Sequence, residues 1–244
     1  MKHRPLLFVH IPKTAGTSFR KTIVDNNFNV ENIARFRGFR WAISSNFTNM
    51  NLIGGHMAFG LHHFTKYDCD YITFLRDPID RSISHYFFIK QSPLKQKNMH
   101  VNYSQRQINR LYSLERIFHK NRFKKYKLFS SWLIDNMQTR YLAGWKHYYL
   151  PKNSKLLLNI AKNNLKNKIK AFGLKEEYDD SIKIFENIFD WKKNNQIVDR
   201  QMTTRIKKEV TDLDLRAVKD NNLLDIELYK FAQELFEDQK KKYL

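Results

Sequence analysis

Six consecutive residues near the start of the chain combine one ammonium group, one glycine and three hydroxyl groups. They are Lys13, Thr14, Ala15, Gly16, Thr17 and Ser18. A mostly apolar run from residue 6 to residue 11 precedes them and predicts a buried strand, and a helical pattern that includes Phe19 and Ile23 follows them. Where a strand, a small-residue loop and a helix N-terminus meet, backbone N–H groups and the positive end of the helix dipole converge on one anion. The spacing therefore predicts a loop that binds a phosphate group.

The order of residues in this loop differs from that of a Walker A motif. The motif G-x-x-x-x-G-K-[ST] requires the lysine after the second glycine, whereas Lys13 precedes Gly16. No convincing Walker B acid for Mg²⁺ is evident either. Both observations count against a P-loop kinase or NTPase, which is the alternative enzyme that a test of metal dependence would distinguish. An ordinary strand-to-helix turn with a solvated lysine is the structural alternative.

A second candidate for anion binding follows the strand predicted at 70–75. Arg76 ends this strand, Asp77 is a good N-cap, and Pro78 is a good first residue for the next helix. The planar guanidinium of an arginine at such a place makes two charge-assisted hydrogen bonds to a dianionic phosphate. Ser84, further along the helix, can add a hydroxyl group. The structural alternative is an Arg–Asp pair that caps the helix.

Histidine provides the candidate base. His56 ends a short strand rich in glycine, where a backbone can approach a ligand closely, and a neutral imidazole can take the proton of a hydroxyl group near pH 7. His62 is the next candidate. A histidine bonded to a loop carbonyl is the structural alternative for His56. We interpret His10, on the first strand, as buried packing and His85, on the helix after residue 78, as a polar neighbour.

The pattern along the chain predicts an α/β fold in which helices separate short strands. Further strands are predicted at 51–56, 70–75 and 171–174, and further helices from residue 78, at 154–170, from residue 178 and at 222–243. Residues 28–49 show no clear pattern. With 244 residues and no repeat or linker, the sequence predicts a single domain, 1–244, with a P-loop-like, mostly parallel central sheet flanked by helices. Ligands bind at the carboxyl ends of such strands, so we expect one crevice to hold Lys13, His56 and Arg76.

The formal net charge of +20 attracts anions at long range. Nucleic acid, anionic glycan, acidic lipid and nucleotide are all compatible with it. No RRM, KH, zinc-finger or helix-turn-helix signature is present, so a non-enzymatic nucleic-acid-binding protein is an alternative suggested by charge alone, and we expect no nucleic-acid partner. The segment 90–127 is the most basic, and it has two interpretations. It is either a solvated surface or a helical insertion or lid that binds an anionic acceptor.

Cysteine content and hydropathy bear on the compartment. Cys69 is the only cysteine, so no internal disulfide can form, which suits a reducing compartment. No run of about 18 apolar residues predicts a membrane span, and the first residues show no secretory signal. We therefore expect a cytoplasmic protein. No cluster of Cys, His or carboxylate residues has metal-ligand spacing, so we expect no metal.

Two of these segments carry a resemblance to a known family. P-K-T-A-G-T-S, which ends at Ser18, resembles the 5′-phosphosulfate loop of sulfotransferases that use 3′-phosphoadenosine 5′-phosphosulfate (PAPS), and R-D-P-x-x-R-x-x-S-x-Y from Arg76 resembles their 3′-phosphate motif. The chain is similar to the family that includes the heparan sulfate 2-O- and 6-O-sulfotransferases and many bacterial relatives. Less specific likeness extends to three later segments. The first contains Asn136, Gln138, Thr139, Arg140, Tyr141 and Leu142. The second, which is weaker, runs from Phe172 to Glu176 and leads into Asp180 and Ser181, and the third contains Asn222, Asp225, Leu228 and Tyr229.

The resemblance implies transfer of a sulfuryl group from PAPS to a hydroxyl group, most often of a carbohydrate, without a metal. It implies that residues 13–18 hold the 5′-phosphosulfate, that Arg76 and Ser84 hold the 3′-phosphate, and that Lys13 neutralises the leaving oxygen. His56 matches the catalytic histidine, which the family places in a G-x-H-A-like stretch. The acceptor side would include His62, Arg140 and Tyr141. We expect a glycan acceptor, which can be anionic, but the identity of the acceptor and the oligomeric state stay open. The membrane anchor and paired cysteines of the animal enzymes are not found in this sequence, which puts a Golgi location in doubt.

Overall fold

The computed structural model describes residues 4–65, 67–91, 135–151, 153–192 and 210–244. From residue 92 onward, the basic segment predicted at 90–127 lies outside the described residues.

Among the described residues, five strands form one sheet that is parallel throughout, where the sequence predicts a mostly parallel sheet and four of these strands. The five strands are β1 (Leu6–Val9), β2 (Ile33–Arg35), β3 (Leu52–Gly55), β4 (Asp70–Leu75) and β5 (Ala171–Leu174). The strand order is β2-β3-β1-β4-β5, and every neighbouring pair is parallel. This confirms an α/β fold with a P-loop-like central sheet, in which β1 is the middle strand.

Helices cover the sheet. Helix α1 occupies 16–27 and consists of Gly16–Phe19, a π-helical segment Arg20–Val24, and Asp25–Asn27. The other helices are α2 (Phe39–Ser44), α3 (Pro78–Gln91), α4 (Met137–Ala143), α5 (Lys155–Asn167), α6 (Tyr178–Phe189), α7 (Asp212–Asn221) and α8 (Leu223–Tyr243). Within the described ranges, none of these helices combines the length and apolar character needed to cross a bilayer.

The alternation of side chains along β1 divides the core between the two faces of the sheet. Leu7 and Val9 belong to one buried cluster, which includes side chains of α4, α5 and α8. Leu6 and Phe8 belong to a second cluster, with Phe19 of α1 and side chains of α6. Both faces are therefore covered, which explains why the strands are almost continuously apolar.

The register of the sheet brings the predicted site residues to one edge. Val9 at the end of β1 aligns with Gly55 of β3 and with Thr73 of β4. Because the strands are parallel, the loop after β1, the turn after β3 and the start of α3 all follow the same edge of the sheet.

Candidate active site

The loop between β1 and α1 has the backbone geometry of an anion site. Lys13 and Ala15 both have left-handed backbones, with φ of 70° and 87°, and a single residue separates them. Left-handed residues other than glycine are uncommon, and such alternation is typical of backbone nests whose N–H groups bind anions. Thr14, between them, is fully buried and its hydroxyl donates to the carbonyl of Ile11 at 2.8 Å. Thr14 therefore holds the shape of the loop.

The first residue of α1 is packed against a histidine. A Cβ atom on Gly16 would lie 1.9 Å from Nε2 of His10. The imidazole of His10 is stacked on the ring of Phe8, with centroids 5.3 Å apart. The sequence interpretation of His10 as packing thus agrees with its contacts, and Gly16 is needed because no side chain fits there. Thr17 is exposed and Ser18 is half-buried, so both hydroxyls lie near the surface at the N-terminus of α1.

Lys13 reaches across to helix α3. Its Nζ lies 4.4 Å from the centroid of the Phe88 ring, within the range of a cation–π contact. Phe88 is 41% exposed, which is unusual for a phenylalanine, so this contact lies at the surface of the site.

Arg76 stands next to the same loop. The residue is buried, and Nη1 donates to the main-chain carbonyl of Lys13 at 3.3 Å. Its Nε lies 4.0 Å from the carboxylate of Glu176 and has no hydrogen-bond partner among the described residues. Asp77 instead caps α3, because its side chain accepts from the backbone N–H groups of Ile79 and Asp80, both at 2.9 Å. The guanidinium is therefore not used up in an Arg–Asp cap.

Ser84 lies on the face of α3 that follows the loop. It is half-buried, one turn after Asp80 and one turn before Phe88. Asp80 favours the charged form of Arg76, and Phe88 contacts Lys13. Since residues four apart share a helix face, Ser84 is on the side of α3 that Arg76 and Lys13 approach.

The backbone of Arg76 is fixed by an amide that sequence reasoning did not single out. Gln138 accepts from the N–H of Arg76 at 2.9 Å and donates to its carbonyl at 2.8 Å. Gln138 lies in the first turn of α4, in a segment that carried only the less specific likeness. The sequence therefore held a signal for Gln138 but not for its role.

Helices α4 and α8 cap one another. The side-chain oxygen of Asn136, just before α4, accepts from the N–H groups of Leu224 and Asp225 at 2.9 and 3.2 Å. In return, the carboxylate of Asp225 accepts from the N–H groups of Gln138 and Thr139 and from the Thr139 hydroxyl, at 3.0, 2.7 and 2.7 Å. This mutual cap positions Gln138, and through it Arg76.

His56 lies beside the loop with a fixed tautomer. Its Nδ1 is 2.9 Å from the carbonyl of His10, and since a carbonyl only accepts, Nδ1 carries the hydrogen and Nε2 the lone pair. Desolvation, opposed by this hydrogen bond and supported by the charge of Arg35, lowers the pKa of His56 from 6.5, although the residue keeps an exposed face. The bond to a loop carbonyl is thus present, and it leaves Nε2 as a neutral base.

The structure does not bring Arg140 to this cluster as an open side chain. Arg140 is 4% exposed. Its Nε donates to the carboxylate of Asp135 at 2.6 Å, and Nη1 donates to the carbonyls of Tyr148 and Leu150. The guanidinium is committed to protein acceptors, so we do not propose it as a ligand of the acceptor.

Tyr141 and His62 are also held by protein contacts. Tyr141 is buried, and burial raises its pKa to about 12. His62 is half-buried, with Nδ1 2.8 Å from the hydroxyl of Tyr71, and its ring packs against His63. The structure thus brings together residues 13–18, His56, Arg76 and Ser84, whereas each of the three predicted acceptor residues is buried or bonded to other protein groups.

Two further observations complete the description of the site. His85, interpreted from sequence as a polar neighbour, is in fact buried, with 6% exposure. Among the described residues, no group of three or more His, Cys, Asp or Glu side chains has the arrangement of a metal site.

The sequence was compared with known proteins. Residues 1–232 match the family model described as the sulfotransferase family. The chain is 23% identical over 279 aligned positions to heparan-sulfate 6-O-sulfotransferase 3 of Homo sapiens and, equally, to that of Mus musculus. These alignments cover 95% of this chain and 57% of the relatives, so the chain spans little more than half of their length. Because the family match includes the loop, the Arg76 segment and the capped helices, the chain belongs to the sulfotransferase family.

Proposed function

We propose that this protein transfers a sulfuryl group from PAPS to a hydroxyl group of a carbohydrate. Family membership supports the reaction class. The observation that carries the proposal is the joining of two anion-binding positions, the nest around Ala15 and the guanidinium of Arg76, by the hydrogen bond from Arg76 to the Lys13 carbonyl. A donor with phosphate groups at both its 5′ and 3′ positions has the charge distribution that two such positions require.

The residues of the site fit PAPS chemically. The buried Nε of Arg76 has no hydrogen-bond partner in the described chain, which suits an additional oxyanion. We assign the 3′-phosphate to Arg76 and Ser84. We assign the 5′-phosphosulfate to Lys13 and the backbone of residues 14–18, with the accessible hydroxyls of Thr17 and Ser18.

The proposed transfer needs a base and a stabiliser of the leaving group. The acceptor oxygen forms a bond to sulfur as the bond from sulfur to the 5′-phosphate oxygen breaks, and Nε2 of His56 takes the acceptor proton. The electron pair of the broken bond stays on the phosphate, where the Lys13 ammonium and fixed N–H groups stabilise it. Preorganised donors of this kind are usually the largest catalytic contribution.

The acceptor side of His56 is basic. The charge of Arg35, at the end of β2, lowers the pKa of His56, so its guanidinium lies near the base. Arg35 is exposed, as are Arg37 and Arg40. The relatives are named for a glycan, heparan sulfate. These observations support a carbohydrate acceptor that carries negative charge.

Thermal unfolding with two nucleotides tests the donor assignment. PAP, the product nucleotide, should raise the melting temperature much more than AMP, which lacks the 3′-phosphate. Arg76→Ala should remove most of the difference, and Arg76→Lys should not restore it, because lysine lacks the planar fork. Arg216→Ala, which removes an exposed arginine of α7, is the matched control and should keep the preference for PAP. Equal stabilisation of the wild type by PAP and AMP would contradict the proposal.

A further inference from the structure

His85 is a buried imidazole whose Nδ1 has no hydrogen-bond partner among the described residues. It lies on α3 directly after Ser84 and is 6% exposed, and its Nδ1 bonds to nothing in the described part of the chain. Most buried polar atoms are hydrogen-bonded, and leaving one unsatisfied lowers the stability of the fold. A buried nitrogen in this state therefore requires an explanation beyond packing.

The surroundings of His85 belong to the candidate site. Its ring lies 6.4 Å from that of Phe88, the same ring that Nζ of Lys13 approaches at 4.4 Å. One turn earlier on α3 is Arg81, which is fully buried and whose Nε also lacks a partner among the described residues. With Nε of Arg76, three unsatisfied buried nitrogens thus lie on the short segment from Arg76 to His85. Arg76 bonds to the Lys13 carbonyl and His85 lies beside Phe88, so two of these nitrogens belong to residues at the candidate site, and this points to an anionic ligand.

His85 is neutral in this environment. Burial, together with the charges of Arg81, Lys13 and His56, holds its pKa well below 6.5. A neutral imidazole carries one N–H donor and cannot attract an anion by charge. It acts only through the direction of its hydrogen bond.

We propose that His85 is a further catalytic residue, whose N–H donates to an oxygen of the sulfuryl group while that group moves from PAPS to the acceptor. The inference rests on the proposed function. During transfer, sulfur lies between the leaving oxygen, assigned to Lys13, and the acceptor oxygen, assigned to His56. The ring of His85 neighbours the Phe88 ring that Nζ of Lys13 approaches, which places His85 beside the group assigned to the leaving oxygen. The charges of Lys13 and His56 both act to lower its pKa, in keeping with that position.

The experiment compares two ligands that differ by the sulfuryl group. The affinities of PAPS and PAP are measured by calorimetry for the wild type, His85→Leu and His85→Gln. His85→Leu should weaken PAPS about tenfold relative to PAP, because it loses one hydrogen bond to a charged group. His85→Gln keeps an N–H donor and should recover part of the loss. His63→Leu makes the same change at an exposed residue of the turn Leu61–Phe64 and should leave the ratio of affinities unchanged.

A second readout separates this role from a structural one. The ligand-free His85→Leu variant should melt no lower than the wild type, since leucine removes an unsatisfied polar atom from the interior. An unchanged ratio of PAPS to PAP affinity in both His85 variants would overturn the inference. So would an equal loss of both ligands together with a lower melting temperature. If the wild type does not prefer PAP to AMP, the proposed function itself fails. If the wild type does prefer PAP, a negative result with the His85 variants contradicts only the role given to His85.

Discussion

His56 shows how one hydrogen bond decides the chemistry of a single residue. The carbonyl of His10 fixes the hydrogen on Nδ1, and desolvation keeps the ring neutral. Because the pKa of His56 is lowered, Nε2 stays available as a base to a lower pH than the imidazole of an ordinary histidine would.

Replacing His56 should therefore remove the base and little else. His56→Ala should lower kcat roughly a hundred- to ten-thousand-fold while PAP affinity is retained. The wild-type rate should rise with pH through one ionisation below 6.5, because the pKa of His56 is lowered. Initial rates of PAP release between about pH 5 and 8 measure both effects.

His56→Asn is the matched control, since its amide can still donate to the His10 carbonyl but cannot take a proton. It should be as inactive as the alanine variant. If His56→Ala turns over normally and His62→Ala does not, the base is His62 and the assignment is wrong.

Gly16 gives a second prediction at this scale. Gly16→Ala should destabilise the fold by about 1–3 kcal/mol and abolish PAP binding, because the new Cβ would overlap the His10 imidazole. Gly54→Ala is the matched control in β3, since its Cβ would meet Phe8 at an ordinary 3.8 Å. Urea unfolding and calorimetry with PAP measure the two effects, and a Gly16→Ala variant that binds PAP normally would refute the role given to this contact.

Individual residues could be predicted where their types follow strands directly. Lys13, His56 and Arg76 each come after a predicted strand, and a parallel sheet brings such residues to one edge. The role of Arg140 could not be predicted this way. Its guanidinium donates to the main-chain carbonyls of Tyr148 and Leu150, and no sequence pattern indicates those hydrogen bonds. The burial of His85 could not be predicted either, because its helix already has enough apolar residues to form a buried face without the histidine.

At the scale of elements, the mutual cap between α4 and α8 stabilises the proposed donor site through the backbone of Arg76. Asp225 holds Gln138 and Thr139, and Gln138 holds both backbone groups of Arg76. A substitution that disturbs α8 should thus weaken binding at the proposed 3′-phosphate position.

Asp225→Ala should lower the free energy of unfolding by about 2 kcal/mol or more, since one buried carboxylate accepts three hydrogen bonds. It should also weaken PAP binding. Thr211→Ala is the control, because it removes the capping box of α7, which joins Thr211 to Asp214 within the same helix start. That variant should lose about 1 kcal/mol of stability and keep its PAP affinity. Equal PAP affinity in both variants, measured by calorimetry, would show that the cap does not support the site.

The same cap explains which elements the sequence could not predict. The four strands β1, β3, β4 and β5 and the helices α3, α5, α6 and α8 follow local patterns and were predicted. Helix α4 begins after a left-handed Asn136 and draws its N-terminal partner from Asp225, so its start depends on a distant residue. Strand β2 has only three residues, too few for a pattern to be recognised within 28–49.

For the whole molecule, buried neutral histidines make stability depend on pH. Burial lowers the pKa of His10 to about 3 and that of His85 well below 6.5, whereas both take up protons near 6.5 in the unfolded chain. Below pH 6.5 the unfolded state therefore binds more protons, and the stability that these residues contribute is lost as the pH falls.

The free energy of unfolding should accordingly drop between about pH 7.5 and 5.5, by about 1 kcal/mol for each of the two histidines. Urea unfolding at the two pH values measures the drop. His85→Leu should show a smaller drop than the wild type, and Lys219→Ala, an exposed substitution on α7, the same drop. A free energy of unfolding that is equal at both pH values, or higher at the lower one, would contradict the burial of neutral imidazoles.

The mutual cap of α4 and α8 also links the folding of the chain to its ability to bind a nucleotide. The hydrogen bond between Asn136 and Asp225 joins residues 89 positions apart in the sequence. Strand β1 lies between β3 and β4, so both of its partners come from later parts of the chain. Such non-local contacts form late, because the loop entropy must be overcome before they contribute. Gln138 holds the backbone of Arg76 and Asp225 holds Gln138, so this support for Arg76 exists only when α8 has docked. Nucleotide binding should thus be gained in the last folding step, so a chain that binds PAP is one that has finished folding.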